Sequence, residues 1–340
     1  MLKKLKQTAL ASLKRSGVFS LVHHSQWRRQ RLLILGYHGI SLDDEHLWSR
    51  GQFMSREVFS ARLKLLRKSG CTVLPLAEGL RRLYAGDLPE KCVTITFDDG
   101  TYDFYRQAYP LLREFGYPAT LYLTTFYSQF NRPVFDLACS YLLWKGRERT
   151  LDLKAFTGRD ERINLNSAQA RPAAFEQIRE FAREGKLSAE EKDQLVASLA
   201  ESLGVDYDAL LAQRMLQLLR PDEVKKVAAD GIEVQLHTHR HRTPLNRELF
   251  LREIEDNRKS IHEMTGAWPS HFCYPSGVWN WAFLPWLREA GIESATTCDV
   301  GLASPKSNSL LLPRLIDVSS LSPIEFEGWL TGISTVLPRK

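Results

Sequence analysis

Lys91–Gly100 reads KCVTITFDDG, and the interpretation of the whole chain starts from this stretch. Its apolar residues alternate with Thr94 and Thr96, which predicts a short buried β-strand that ends at Asp98, Asp99 and a glycine. Adjacent anions raise each other's pKa unless a cation or hydrogen-bond donors compensate. A divalent metal bound by one aspartate would remove this conflict and leave the other as a base.

An Asp-Asp-Gly sequence after a strand is also ordinary turn chemistry. Aspartate accepts hydrogen bonds within turns and glycine adopts positive φ. Taken alone, the stretch favours a turn, because short motifs often match by chance. The choice therefore depends on residues elsewhere in the chain.

A second group of polar residues follows another predicted strand, Ile232–Leu236. His237 and His241 lie four positions apart and can face a common point, in which case His239 points elsewhere. Imidazole and carboxylate ligands suit Zn and neighbouring first-row metals. With Asp99 these histidines make three protein ligands, a set that leaves positions open for water and substrate. The pattern favours a catalytic metal site over a turn.

The composition indicates a globular protein of 340 residues, 44% of them hydrophobic, with a formal charge of +6. This length suits one large α/β domain or two ordinary ones. Basic residues concentrate in the first thirty positions, which argues against a general nucleic-acid binder. Five scattered cysteines without a CxxC pair indicate reduced thiols, and we expect neither a secretion signal nor a membrane span. A cytoplasmic location follows as an expectation.

Residues 1–30 are expected to form a basic amphipathic N-terminal segment. Between positions 2 and 15, lysines occupy the face opposite to apolar residues spaced three and four apart: Leu2, Leu5, Ala9 and Leu13. This spacing predicts a helix. Docking on the body of the protein is favoured, because one small apolar face binds a membrane only marginally. Weak peripheral membrane contact through residues 2–15, and with it membrane association, stays open.

Strands and helices alternate from residue 31 onward, which predicts parallel βα units with right-handed crossovers. The predicted strands are 31–40, 71–74, 93–97, 119–125, 232–236, 270–277, 291–297 and 310–316. Between about 131 and 220 the alternation stops in a polar, helix-rich segment. We interpret this segment as an insertion, either a lid over the substrate or a structural appendage.

Two motifs together resemble the polysaccharide deacetylase family (NodB homology, carbohydrate esterase family 4). They are Thr-Phe-Asp-Asp-Gly at 96–100 and His-Thr-x-x-His at 237–241. The resemblance covers about residues 32–318 without the insertion, and includes the strand ending at Tyr37-His38. It implies an α/β fold, a distorted (β/α) barrel over residues 31–340 with the helical insertion at about 131–220. Its site would lie at the carboxyl ends of the strands.

The resemblance also implies roles for individual residues. Asp98 would be the catalytic base, and Asp99, His237 and His241 would bind a divalent metal. Zn is the expected ion, with Co, Ni or Mn as alternatives.

Two departures from the family pattern are visible. The third motif commonly has Arg-x-Pro-Tyr-Gly, whereas this chain has Cys273-Tyr-Pro-Ser-Gly277. Arg314 is the replacement that we expect to brace Asp98, with a surface ion pair as the open alternative. The family's last strand supplies a histidine as general acid, and residues 310–317 contain none. His38 could approach the same space from the first strand, unless it is a packing residue.

The predicted reaction is metal-dependent hydrolysis of N-acetyl groups from amino sugars in a polysaccharide or glycoconjugate, which releases acetate and a free amine. An N-acetylated glycan is therefore the expected partner, and no oligomeric state is predicted. The expected substrate-binding residues are Tyr274, Pro275, Ser276, Gly277 and Trp279, with Ser276 near an oxyanion-binding N–H and the aromatic rings, Trp281 among them, against sugar. Two alternatives are a different amide hydrolase acting on peptidoglycan or a cyclic amide, and a catalytically weak carbohydrate-binding protein.

Overall fold

The structure, a computed structural model, describes residues 2–335, except for the side chains of Leu2 and Ala155. Its contacts divide the chain into two compact units. The barrel unit comprises the chain up to Gln129 and from Leu219 onward, and the inserted unit is Phe130–Leu218.

Twelve β-strands occur in the described residues. They are β1 Leu33–Tyr37, β2 Gly39–Ile40, β3 Phe53–Met54, β4 Thr72–Val73, β5 Cys92–Phe97, β6 Thr120–Leu123, β7 Thr150–Asp152, β8 Arg162–Asn164, β9 Glu233–Leu236, β10 His271–Cys273, β11 Ser294–Thr296 and β12 Leu315–Ile316.

Sixteen α-helices accompany them within residues 2–335. They are α1 Leu2–Arg15, α2 Val18–His23, α3 Gln26–Arg29, α4 Glu45–Trp48, α5 Arg56–Lys68, α6 Leu76–Ala85, α7 Tyr109–Phe115, α8 Phe135–Lys145, α9 Lys154–Thr157, α10 Ala170–Glu184, α11 Ala189–Ser202, α12 Tyr207–Ala212, α13 Pro221–Ala229, α14 Arg247–Thr265, α15 Phe283–Glu289 and α16 Pro323–Thr331. A π-helical turn at Phe104–Ala108 precedes α7, and 3-10 turns occupy Phe126–Gln129, Pro275–Gly277 and Ile333–Thr335.

The main sheet of the barrel unit is parallel and curled. Its strands are ordered β11-β10-β9-β6-β5-β1-β12, and β4 pairs with β5 beside this path. The two ends of the path approach each other, because Leu312 pairs with Thr296 of β11 shortly before the chain enters β12. The predicted distorted (β/α) barrel is confirmed, and the carboxyl ends of its strands share one rim.

Most of the predicted strands are longer than the observed ones, and three of them are divided or shortened for identifiable reasons. The segment 31–40 is divided at His38 into β1 and β2. The segment 270–277 stops at Cys273, because Pro275 has no N–H for a ladder and begins a 3-10 turn. In the segment 310–316, the first residues bond to β11 and only Leu315–Ile316 pair with β1.

Alternate residues of the central strands enter two different cores. Leu35 and Ile95 pack under the surrounding helices, whereas Ile34 and Cys92 join an inner cluster with Leu80 of α6. This period of two continues past the end of β5 and directs the following carboxylate to the inside.

The N-terminal helix α1 packs on the barrel unit. Leu10 is fully buried with Phe19 and Ile333. Lys3 Nζ donates to the carbonyl of Ser320 at 2.6 Å, and Lys14 pairs with Glu327 of α16. The favoured docking is therefore observed, but not through the predicted face, because Leu5 and Ala9 are exposed while Lys3 and Lys14 contact the body of the protein. Across residues 2–335 no helix has the length and apolar character that a membrane crossing requires.

The inserted unit is helical, with one small hairpin. Helices α8 to α12 surround the antiparallel pair β7 and β8, which sequence analysis missed because both strands are three residues long and mostly exposed. Helix α11 begins with a reciprocal capping box between Ser188 and Glu191, and its Leu199 is buried. Its part as a lid or an appendage stays a prediction.

Candidate active site

Two consecutive aspartates follow β5, and their carboxylates point in different directions. Asp98 is 3% exposed, and its backbone N–H donates to the carbonyl of Tyr37 at 2.9 Å. Asp99 has a left-handed φ of 72°, which turns the chain sharply after Asp98. Gly100 has φ 83°, and a Cβ there would come within 2.3 Å of Leu123 Cδ1. The turn alternative is thus also correct, because it is this turn that separates the two anions.

Asp98 is held by a bidentate ion pair with Arg314. Arg314 Nη1 donates to Asp98 Oδ1 and Nη2 donates to Oδ2, both at 2.8 Å. Arg314 is fully buried, and its Nε donates to the carbonyl of Thr297 at 3.0 Å. Burial would raise the pKa of Asp98, but Arg314 outweighs burial and lowers it to about 2. The alternative of a surface ion pair for Arg314 is wrong; its catalytic part stays a prediction.

Cys273 occupies the position where the family's third motif commonly has arginine. Its Sγ lies 3.5 Å from Asp98 Oδ2 and 3.1 Å from Arg314 Nη2. Burial raises the pKa of this thiol well above its ordinary value, which keeps the thiol protonated. The Cys273 side chain is smaller than an arginine side chain. It therefore leaves space for the guanidinium of Arg314, which directly precedes β12.

Asp99 meets the two predicted histidines. His237 Nε2 and His241 Nε2 each lie 3.2 Å from Asp99 Oδ1. Burial would raise the pKa of Asp99, but the two imidazoles hold it well below its ordinary range. Asp99 Oδ1 is buried, yet no group within residues 2–335 donates a hydrogen bond to it.

These three side chains fit a divalent cation. Their ligand atoms all lie within 4.8 Å of one another. A cation shared at the usual bond length of about 2.0–2.2 Å would satisfy the orphaned Asp99 oxygen together with both imidazole nitrogens.

His237 is oriented by its surroundings. Its Nδ1 lies 2.8 Å from the carbonyl of Cys273, so the tautomer with a proton on Nδ1 leaves the lone pair of Nε2 facing Asp99. Its backbone N–H donates to Asn257 Oδ1 at 2.9 Å, and Asn257 Nδ2 donates to the carbonyl of Leu123 at 2.9 Å. Asn257 was missed by sequence analysis, because a lone asparagine within a helix carries no motif.

A second possible ligand group shares His237. Asp98, His237 and Cys273 also bring ligand atoms within 4.8 Å. Arg314 contacts both Asp98 and Cys273, and its positive charge opposes a cation there. The geometry therefore favours the group built on Asp99.

The third histidine of the motif faces away, as expected. His239 Nδ1 lies 2.8 Å from Thr125 Oγ1, and its ring meets Phe126 edge to face.

His38 lies beside Asp98 at the end of β1. Its Nε2 is 3.8 Å from Asp98 Oδ2, and its side chain is 22% exposed. The segment that follows it is fixed by Asp103, whose Oδ1 accepts the backbone N–H of Ile40 at 2.7 Å. His38 can therefore contact both the base and solvent, and its role stays a prediction.

We expect Asp103 to make folding stability depend on pH. Burial raises the pKa of Asp103 to about 8, and the nearby Glu45 carboxylate adds to the rise, whereas an unfolded aspartate titrates near about 3.9. Its contribution to stability is complete below the unfolded pKa and is lost as pH rises through the folded value. Melting temperatures of wild type and Asp103→Asn should therefore diverge between pH 4 and 8, with wild type falling relative to the variant. A difference independent of pH would contradict the assignment.

The turn after β10 follows Cys273, which contacts Asp98, and it corrects two expectations. The Tyr274 ring is fully buried, and its hydroxyl donates to the carbonyl of Leu310 at 3.0 Å. Tyr274 therefore cannot offer a face to a sugar, and Pro275 is buried as well. Ser276 is exposed with φ 56°, and the described residues supply no acceptor for its backbone N–H.

Two tryptophans, Trp279 and Trp281, follow this turn in the chain. Trp279 Nε1 donates to Asp299 Oδ2 at 3.3 Å, and Trp281 is 69% exposed. Their rings meet edge to face with centroids 5.3 Å apart. Ser276, Gly277 and Trp279 stay predicted substrate contacts.

Comparisons with known proteins agree with this geometry. The family model described as "Polysaccharide deacetylase" matches residues 85–148 and 173–295, more than half of the chain. Poly-beta-1,6-N-acetyl-D-glucosamine N-deacetylase of Escherichia coli K12 is 29% identical over 102 residues, which are 29% of this chain and 15% of that protein. The curated relatives are matched over a third or less of their own length.

Solved structures show the same fold. IcaB from Ammonifex degensii is similar with a TM-score of 0.58 at 17% identity, over 88% of this chain and 97% of that chain. The Streptococcus pyogenes deacetylase PplD, in complex with acetate, is similar with a TM-score of 0.56 at 19% identity, over 87% and 96%. The family match, the curled parallel sheet and the site at its rim lead to one conclusion: this chain belongs to the polysaccharide deacetylase family.

Proposed function

We propose that this protein removes N-acetyl groups from amino sugars of a glycan by metal-dependent hydrolysis. One observation carries the proposal. A buried carboxylate, Asp98, is kept ionised by Arg314 directly beside the cation-binding group Asp99, His237 and His241. The similar E. coli protein, whose name specifies an N-acetylglucosamine polymer, supports the substrate class.

In this reaction, several residues of the chain would have separate catalytic roles. Asp98 accepts the proton of the attacking water, whose oxygen then forms a bond to the acetyl carbon. The backbone N–H of Ser276 faces the oxygen that becomes negative. His38 donates a proton to the sugar nitrogen as the carbon–nitrogen bond breaks, which gives acetate and a free amine. Bound by Asp99, His237 and His241, a divalent cation would supply a Lewis acid for the acetyl carbonyl and lower the pKa of water.

The ion is proposed as Zn, with Co, Ni or Mn as alternatives. The donor set of two imidazoles and one carboxylate suits Zn and its neighbours.

The structure weakens one alternative function. A binding protein without activity was considered because the arginine and the histidine of the later family motifs are absent. Arg314 and His38 lie against Asp98 from other strands, at 2.8 and 3.8 Å. An arginine and a histidine therefore do lie beside the proposed base, although other segments of the chain supply them. This favours a hydrolase.

Replacing His38 with Ala should lower kcat for acetate release by about 100-fold, because general acid catalysis contributes about 10²–10⁴-fold. The loss should be much smaller for a phenyl acetate ester, whose leaving group needs no proton. Initial rates with both substrates measure this difference. An equal loss with the two substrates would remove His38 from the role of proton donor.

The proposed function is tested by acetate release from N-acetylated oligosaccharides and peptidoglycan fragments. The protein is stripped with a chelator and titrated with Zn or Co. We expect acetate from N-acetylglucosamine oligomers, abolished by chelation and restored by metal. Sugar binding without acetate in any metal would contradict the proposal, and cleavage confined to peptidoglycan amides would favour another amide hydrolase.

A further inference from the structure

The loop after β9 carries two of the three proposed metal ligands in an uncommon backbone conformation. Thr238 has φ 64° and His241 has φ 54°, in the left-handed region that residues with a Cβ rarely adopt. Such conformations persist only where surrounding contacts hold them. The loop therefore needs an external support.

A buried glutamate of α14 supplies that support. Glu253 is 1% exposed, and its Oε2 accepts the backbone N–H of Arg240 at 2.8 Å. Its Oε1 accepts Arg242 Nε at 2.7 Å and Arg240 Nη1 at 3.1 Å. Its backbone carbonyl accepts the N–H of His239 at 3.0 Å. Glu253 thus bonds to three of the four residues that follow Thr238.

We infer that Glu253 is a positioning residue for the metal site, an inference that rests on the proposed function. Its side-chain partners within residues 2–335 are Arg240 and Arg242 rather than Asp99 or the imidazoles of the ligand group. It acts by fixing the backbone between His237 and His241. A buried carboxylate requires compensation, which the Arg240 amide and two guanidinium groups provide. The contacts that neutralise Glu253 are therefore the same contacts that set the spacing of the two histidines.

Asp256 provides a matched control on the same helix. Its Oδ2 lies 3.5 Å from Arg240 Nη1, but its side chain is 39% exposed, and the backbone N–H groups of His239 and Arg240 donate to Glu253 instead. An ion pair of this kind contributes little to stability. Loss of Asp256 should therefore leave the loop in place.

The test compares full-length wild type, Glu253→Ala, Glu253→Gln and Asp256→Asn. In metal-free protein, hydrogen exchange of the amides of residues 239–242 should be at least about tenfold faster in Glu253→Ala. The dissociation constant for Co²⁺ should rise by about 10–100-fold, as for other residues that orient metal ligands. Glu253→Gln keeps one acceptor oxygen and should be intermediate, and Asp256→Asn should match wild type.

Should Glu253→Ala fail to fold, Glu253→Gln decides between the outcomes. Wild-type exchange rates and Co²⁺ affinity in the folded Glu253 variants would overturn the inference. If wild type itself bound no Co²⁺, the proposed function would fail, while the exchange rates would still show whether Glu253 holds the loop.

Discussion

Replacing Asp98 with Asn should abolish acetate release and leave metal binding intact. The amide keeps the shape of the carboxylate and an oxygen for Arg314 Nη1, but it cannot accept the proton of water. The loss of the base should lower kcat by at least about 10³-fold, within the range that general base catalysis contributes. Asp98 is no part of the favoured ligand group, so the metal content should stay at one ion per chain.

Kinetic measurements of acetate release test the expected loss of activity. Elemental analysis of the same samples tests whether the metal is retained. Asp299→Asn is a suitable control, because the Asp299 carboxylate accepts a hydrogen bond from Trp279 Nε1, whereas Asp98 is paired with Arg314. Retention of more than a tenth of wild-type activity in Asp98→Asn would show that another group is the base.

Replacing His237 with Ala should remove the metal and the activity together. Two ligands would remain, and the lone pair that the Cys273 carbonyl directs toward Asp99 would be lost. Residues that only orient ligands change metal affinity by about 10–100-fold, so the loss of a ligand should exceed about 100-fold. Asp99, freed from one imidazole, would remain buried with less compensation.

His239→Ala is the matched control for this variant. It removes an imidazole from the same loop, two residues away, that contacts Thr125 and Phe126 outside the ligand group. Isothermal titration with Zn²⁺ should give wild-type affinity for His239→Ala and no measurable binding for His237→Ala. Equal affinities in the two variants would place the ion elsewhere.

The sequence alone was enough to predict the candidate site residues that belong to a motif. Asp98, Asp99, His237 and His241 follow strands whose alternation is plain, and parallel strands bring their carboxyl ends to one rim. Arg314 could be proposed from the missing arginine of the third motif, since a guanidinium can brace a carboxylate from a neighbouring strand. What the pattern could not supply is the left-handed turn at Asp99, which aims the two carboxylates at different partners.

Other residues were not predicted, because their roles depend on contacts in the folded protein that a sequence pattern does not show. Asn257 and Glu253 look like ordinary polar residues of an amphipathic helix, yet both are buried and bond to the loop that carries the histidines. Tyr274 was misplaced for the opposite reason. Its aromatic ring suggested a sugar contact, whereas strand alternation turns this ring into the core.

The central claim is that Asp99, His237 and His241 bind one ion while Asp98 stays beside it as the base. Anomalous diffraction at the Zn edge from crystals of the Zn-loaded protein tests this most directly. We predict one peak within about 2.0–2.2 Å of Asp99 Oδ1 and of both Nε2 atoms, with Asp98 still paired to Arg314. A peak between Asp98, His237 and Cys273, or no peak at this rim in protein that releases acetate, would contradict the account.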